Sequence, residues 1–228
     1  MNLQEPESRV EALSLQVHSI FHTIQGEGPY AGYPAVFIRL AGCNLQCPQC
    51  DTEYTEKRST YYPPELVKTV EQFKPRFSQP LIVISGGEPF RQALGLSRAV
   101  VYLLNAGWRV QIETNGTLPP IHLDSRAEVV VSPKTPAVNR HLYPFLKAVK
   151  YVLNARDVDP TDGLPVHALD HPGRGRVWRR PAELARLPVY IQPVDSEDIV
   201  ANTKAAVESS MKYGYILCLQ IHKILNLE

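Results

Sequence analysis

A chain of 228 residues, 44% hydrophobic and 21% charged, is long enough to bury a substantial core and has the composition of a globular protein. Its 24 basic and 23 acidic residues leave a formal net charge of +1, without the basic excess of a nucleic-acid binder. The start of the chain lacks the basic–apolar–cleavage pattern of a secretory leader, and nowhere do about eighteen apolar residues run together. The expected setting is cytoplasmic, with neither nucleic acid nor a membrane as partner.

Residues 1–14 are polar and predict a frayed end. The stretch Thr23 to Pro29 is a polar loop rich in Gly and Pro. Ala35 to Leu40 predicts a buried strand ending directly at a loop with three cysteines, and Pro64 to Phe73 predicts a helix. Leu81 to Ile84 is a second strand, running into Ser85-Gly86-Gly87, followed by a helix over Ala93 to Asn105. Further short β-branched runs lie at Arg109 to Ile112, Glu128 to Val131, Val149 to Leu153 and Val189 to Gln192. A helix over Glu197 to Tyr213 has Asp195 and Ser196 as N-cap choices and Gly214 just past its end.

Strands alternating with helices predict an α/β class with βαβ units. The Gly, Ser and Cys residues at strand ends place chemistry on the carboxyl rim of a parallel sheet. There are too few repeats for eight units, so the expectation is a partial, incomplete parallel β/α barrel, one domain over residues 1–228. One segment, 154–181, interrupts the alternation with Pro, Gly, Asp and Arg. A loop of that length is a lid, a partner-contacting insert or a disordered segment. Within it, Arg174 to Arg180 reads as a solvated basic loop.

The cysteines carry the sharpest signal. Cys43, Cys47 and Cys50 follow a C-x3-C-x2-C spacing, and Cys218 stands apart in an apolar run as a small buried hydrophobe. Clustered thiols of this kind are no disulfide framework. A structural zinc site wants four ligands and a closed iron–sulfur cluster four thiolates. Three thiolates on a [4Fe–4S] cluster leave one iron open to a small molecule. A zinc site completed by a distant histidine remains the alternative from the residues alone.

The C-x3-C-x2-C loop after a strand, together with Ser85-Gly86-Gly87-Glu88-Pro89, resembles the radical S-adenosylmethionine (SAM) superfamily. Thr23-Ile24-Gln25-Gly26-Glu27-Gly28-Pro29, Arg39 to Cys43, Tyr190 to Asp195 and Leu219 to Leu225 narrow the likeness. With them the chain, from about residue 15 onward, is similar to the 7-carboxy-7-deazaguanine synthase family of the queuosine pathway.

That resemblance implies a lyase that contracts the ring of 6-carboxy-5,6,7,8-tetrahydropterin with loss of ammonia, using SAM catalytically. It implies Cys43, Cys47 and Cys50 on a [4Fe–4S] cluster, and Mg²⁺ at Thr52. Ile24, Gln25, Gly26, Arg39, Ser85 and Glu228 would bind the pterin. Gln49, Cys50, Asp51, Gly87, Ser132, Pro133, Lys134, Gln192, Pro193, Val194 and Asp195 would bind SAM. Glu113 and His222 would lie near the site without an assigned role. A flavodoxin- or ferredoxin-type electron donor and a homodimer complete the implied partners. Two other readings share parts of the pattern: an activase of glycyl-radical enzymes, and a non-catalytic electron-transfer module.

Overall fold

The computed structural model describes residues 13–76, 79–169 and 175–227. Its strands are β1 (Leu15–Ile24), β2 (Pro34–Leu40), β3 (Ser59–Tyr61), β4 (Leu81–Gly86), β5 (Arg109–Thr114), β6 (Glu128–Val131), β7 (Leu146–Leu153), β8 (Val189–Pro193) and β9 (Ile216–Leu217). They form a single nine-stranded sheet of order β3-β1-β2-β4-β5-β6-β7-β8-β9. From β2 to β9 all neighbours are parallel, while β1 is antiparallel to both β2 and β3. The two ends of the order do not pair, so the sheet is the open, partial β/α barrel that the sequence predicts.

The helices are α1 (Pro63–Glu71), α2 (Ala93–Asn105), α3 (Ile199–Tyr213) and the short α4 (Ile221–Ile224). Helix α1 starts on two prolines, which need no N–H in the first turn, and the Glu65 side chain accepts from the Tyr62 backbone N–H at 3.2 Å. Helix α3 ends as expected at Gly214, whose φ of 75° lies in the left-handed region. Its start differs from the sequence reading. The N-cap is Asp198; Ser196 Oγ accepts from the Asp198 N–H and from Asn202 Nδ2, and Asp195 turns away to pair with Lys223.

Successive strand residues point to opposite faces, and here the two faces have different work. Val36, Ile38 and Leu40 of β2, Ile82 and Ile84 of β4, Val110 and Ile112 of β5, Val129 and Val131 of β6, and Val149, Tyr151 and Leu153 of β7 face the helices. They share one buried core with Leu66 and Val70 of α1 and Leu96, Val100 and Leu103 of α2. Each side chain of that size contributes on the order of 1.5–3 kcal/mol by leaving water. Of the alternate residues, which look the other way, those toward the strand ends line a cavity, while Ala35 and Val83 pack in a small separate cluster.

The strand–helix alternation is incomplete. Between β5 and β6 there is only loop, and between β6 and β7 a 3-10 turn, Arg140–Phe145. The described part of segment 154–181 is packed rather than free. Leu164, Ala168, Val177 and Trp178 belong to the main core, and Tyr151 donates its hydroxyl to the Trp178 carbonyl at 2.9 Å. Arg179 holds Asp162 at 2.6 Å. The reading of 174–180 as a solvated loop therefore fails at Val177 and Trp178, which are 2% and 8% exposed. The polar loop expected at Thr23 also gives way, because β1 continues through Ile24. Of the expected frayed end, residues 1–12 lie outside the described residues, and Ser14 is buried. Among the described residues no helix is long and apolar enough to cross a membrane.

Candidate active site

At the carboxyl ends of the parallel strands lies a cavity of about 360 Å³. The period of two supplies its floor: Phe21 and Thr23 from β1, Phe37 and Arg39 from β2, Ser85 from β4, Glu113 from β5, Lys150 and Val152 from β7, and Gln192 from β8 all line it. Arg39 and Ser85 are direct partners in the parallel register of β2 and β4, so their side chains stand side by side. The Arg39 guanidinium also lies 5.0 Å from the centre of the Phe21 ring, which stacks on Phe37 at 5.3 Å. That cation–π platform helps to hold the guanidinium against the cavity floor.

The cysteine loop forms one wall. Gly42 starts it with a φ of 82°, donating its N–H to the Tyr54 carbonyl at 3.0 Å. Asn44 ties the loop to the next strand ends, donating to Thr117 Oγ1 at 2.8 Å and accepting from Asn115 Nδ2 at 3.0 Å. Cys43, Leu45 and Tyr54 make a small buried cluster with Cys47 packed against it, while Cys50 is exposed. All three thiols line the cavity. Burial pushes Cys43 up to about 12 and raises Cys50. Such thiols become ligands only against a strongly positive partner. Among the described residues no three Cys, His, Asp or Glu side chains converge as ligands of a single metal ion. Soft thiolates spread around one wall suit a four-iron cluster, which takes one thiolate per iron.

The Gly-Gly-Glu-Pro segment packs against this loop. A Cβ on Gly87 would sit 1.9 Å from the Gly42 carbonyl oxygen and 2.8 Å from the Cys43 nitrogen, so only glycine lets the two backbones approach. Gly87 donates to the Leu40 carbonyl at 3.1 Å, and Glu88 donates to that of Gly42 at 2.9 Å. The Glu88 carboxyl is fully buried and accepts from Phe90 N–H, Thr114 Oγ1 and Asn115 N–H. Burial raises its pKa. Glu88 therefore knits strand ends together, and Gly87 faces the cavity.

Deeper in, Lys150 contacts Glu27 and lies 3.5 Å from Glu113. Burial alone would pull the lysine down, but the carboxylates of Glu113 and Glu27 push it up. Burial likewise opposes the Glu27 charge, and Lys150 holds that carboxyl below its ordinary value. Lys134, near the thiols, is pulled down by burial and donates to Ser132 Oγ at 2.6 Å and to the Ser132 carbonyl at 2.9 Å.

Residues 220–227 form the remaining wall. Gln220 donates to Glu27 at 2.8 Å and to Asp51 at 3.3 Å. Lys223 bridges Asp51 at 2.9 Å and Asp195 at 2.7 Å. Against the effect of burial, Lys223 and Gln220 hold Asp51 at about 2. His222 lies so close over Gly26 that a Cβ there would meet its Nδ1 at 1.9 Å, and burial lowers its pKa.

Of the residues singled out from sequence, Ile24, Gln25, Arg39, Cys43, Cys47, Gln49, Cys50, Asp51, Thr52, Ser85, Gly87, Ser132, Lys134, Gln192, Val194 and Asp195 all line this cavity. So do Glu113 and His222. Gly26, Pro133 and Pro193 do not line it; Gly26 sits directly beneath His222, and the two prolines set the backbone between lining neighbours. Glu228 lies outside the described residues. Sequence reasoning passed over Glu27, Lys150, Gln220 and Lys223. A lysine within the apolar run of β7 was the available signal for one of them.

Residues 37–139 match the model of the Radical SAM superfamily. Over 94% of its length the chain is 43% identical to 7-carboxy-7-deazaguanine synthase of Rhodospirillum rubrum, covering 93% of that protein. It is 35% identical to the synthase of Rickettsia prowazekii, over 96% of this chain and 91% of the relative. Among solved structures, the crystal structure of QueE from Escherichia coli superposes with a TM-score of 0.70 at 22% identity, covering 91% of this chain and 94% of that one, a likeness of fold. A loop of three thiols beside a glycine-built strand end, on a partial barrel, is what these relationships lead one to expect, and the chain belongs to the 7-carboxy-7-deazaguanine synthase family of radical SAM enzymes.

Proposed function

We propose that this enzyme converts 6-carboxy-5,6,7,8-tetrahydropterin to 7-carboxy-7-deazaguanine with loss of ammonia, in the pathway toward queuosine. The observation that carries the reading is that the thiol loop and the floor of Arg39, Ser85, Glu113 and Lys150 open onto one cavity. Cys43, Cys47 and Cys50 would hold the [4Fe–4S] cluster. Cluster and SAM together would supply a 5′-deoxyadenosyl radical able to take hydrogen from the pterin and return it, so that SAM is not consumed.

The chain's own work is placement and shielding. Arg39, fixed on Phe21, presents a forked pair of donors that fits a planar carboxylate. Ser85 stands beside it as a hydroxyl partner, and Ile24 and Gln25 face the same ligand. Gln49, Asp51, Gly87, Ser132, Lys134 and Gln192 to Asp195 surround the space next to the thiols, where SAM would sit. Holding both molecules in one small cavity turns a bimolecular encounter into an intramolecular one.

Mg²⁺ belongs at Thr52, whose hydroxyl donates to Asp51 Oδ1 at 3.3 Å. A hard cation wants six oxygens, so pterin oxygens and water would complete its shell. The electron comes from a flavodoxin- or ferredoxin-type protein, and the active form is a cytoplasmic homodimer.

The test is anaerobic turnover of the reconstituted protein with SAM, reductant, Mg²⁺ and the pterin, followed by mass spectrometry. Formation of 7-carboxy-7-deazaguanine with SAM largely intact is the expected result. SAM cleavage with unchanged pterin would reject the substrate. Equal rates with and without Mg²⁺ would remove the metal from Thr52.

A further inference from the structure

We propose that Lys150 is a positioning residue for the pterin: its ammonium, set between Glu27 and Glu113, locks both carboxylates as a pair of ionised acceptors facing the cavity. This rests on the reading of the cavity as the pterin site.

The side chain of Lys150 is 7% exposed, on β7 between β6 and β8. It touches Glu27 Oε2 and lies 3.5 Å from Glu113 Oε2. The other oxygen of each carboxylate is held from the opposite side. Gln220 donates to Glu27 Oε1 at 2.8 Å. Gln25 and Gln111 donate to Glu113 Oε1 at 3.0 and 3.1 Å. Neither carboxylate can rotate without breaking a hydrogen bond from a side-chain amide or the lysine contact. An ionised carboxylate has about four acceptor positions, so each keeps capacity for a ligand N–H.

A mostly buried ammonium between two carboxylates is more than ordinary sheet packing needs, because an apolar side chain would fill β7 at lower desolvation cost. The group carries a net charge of −1 toward the cavity. That charge and its fixed geometry favour a ligand edge of N–H donors, which the aminopyrimidinone ring of a pterin presents. Without the lysine, Glu27 loses the charge that holds its carboxyl below the ordinary value, and burial drives it toward the protonated form. That proton turns an acceptor into a donor aimed at the ligand's own donors. The other titratable groups facing the cluster are Asp51 from the cysteine loop, Cys218 beyond β8, Lys134 after β6, and His222 and Lys223 of α4.

The experiment measures equilibrium binding of 6-carboxytetrahydropterin and of SAM, separately, to the cluster-loaded enzyme between pH 6 and 9. It compares the native chain, Lys150→Met and the double variant Lys150→Met/Glu27→Gln, with melting temperatures for each. At pH 7, Lys150→Met is expected to weaken pterin binding by about tenfold or more relative to the native chain. The deficit should shrink as the pH rises and the Glu27 proton leaves, while SAM affinity stays within about twofold. The double variant restores the net charge of −1. It should regain melting temperature without regaining pterin affinity, because one acceptor is still lost. Pterin affinity within twofold of native in Lys150→Met would overturn the proposal. So would recovery of affinity in the double variant, which would make Lys150 a charge balancer and nothing more. A native enzyme that binds SAM but no pterin would instead reject the substrate reading on which the proposal stands.

Discussion

At the floor of the cavity the polar groups are held in place by one another; at the thiol wall they stand on irregular backbone and await a positive charge from outside. Lys150, Glu27, Glu113, Gln25 and Gln220 are joined by ion pairs and hydrogen bonds from side-chain amides. Cys43, Cys47 and Cys50 sit on a turning loop beside a small apolar cluster, with Lys134 nearby. One end is preorganised by the chain itself. The other acquires its charge only with its cofactor, and the difference predicts how each end fails.

The largest effect belongs to the thiol wall. Cys43→Ala, Cys47→Ala or Cys50→Ala should each cut iron content and the iron–sulfur absorbance by about tenfold or more, with a folded protein remaining. A variant that keeps full iron would show that the wall does not depend on all three thiols. Next comes the floor. Arg39→Ala should weaken pterin binding by roughly 10- to 100-fold, the value of a charged, forked hydrogen bond, and leave SAM binding in place. Equal pterin affinity in that variant would take Arg39 out of the site.

Gly87→Ala probes the seam between the two ends. Its methyl group would press on the Gly42 carbonyl and the Cys43 nitrogen, both backbone atoms that cannot swing aside. Overpacking of this kind costs about 1–3 kcal/mol, so the melting temperature should fall by several degrees and iron loading with it. Normal loading and melting would mean that the loop yields more readily than its packing implies.

The smallest effects lie where side chains meet solvent. Asp51 is held at about 2 by Lys223 and Gln220, although half its side chain is exposed. Its contribution to stability is complete above the ordinary carboxylate pKa of about 4 and fades as the pH falls toward 2. Lys223→Ala should remove that acid-side slope while changing stability at pH 7 by at most about 1 kcal/mol. An unchanged acid titration would free Asp51 from Lys223.

The regular part of this molecule was open to sequence reading because it rests on local pattern. The strands over 81–84, 109–112, 128–131 and 189–192 and the helix over 93–105 follow from β-branched runs, helical spacing and flanking turn residues. The three thiols and the Gly-Gly-Glu-Pro turn were visible because their chemistry is concentrated in a few neighbouring residues. What escaped was set by distant partners. Asp195 and Ser196 both look sufficient as caps in sequence, but Ser196 bonds to Asn202 and Asp198 from outside the helix and Asp195 pairs with Lys223. Trp178 sits in a run of arginines, and only the Tyr151 hydroxyl and the main core reveal it as buried. Lys150 shows in the sequence as a polar interruption of a strand; its meaning comes from Glu27, 123 positions away, and from Glu113.

The bond from Gln220 to Glu27 spans 193 positions. At a synthesis rate of roughly 5–20 residues per second, about 10–40 s pass between the appearance of one partner and that of the other. For most of that interval a nascent chain already carries Cys43, Cys47 and Cys50 but has not yet made the wall of residues 220–227. The order of translation thus leaves the thiols open to metal delivery, and to oxygen, before the chamber around them can be finished.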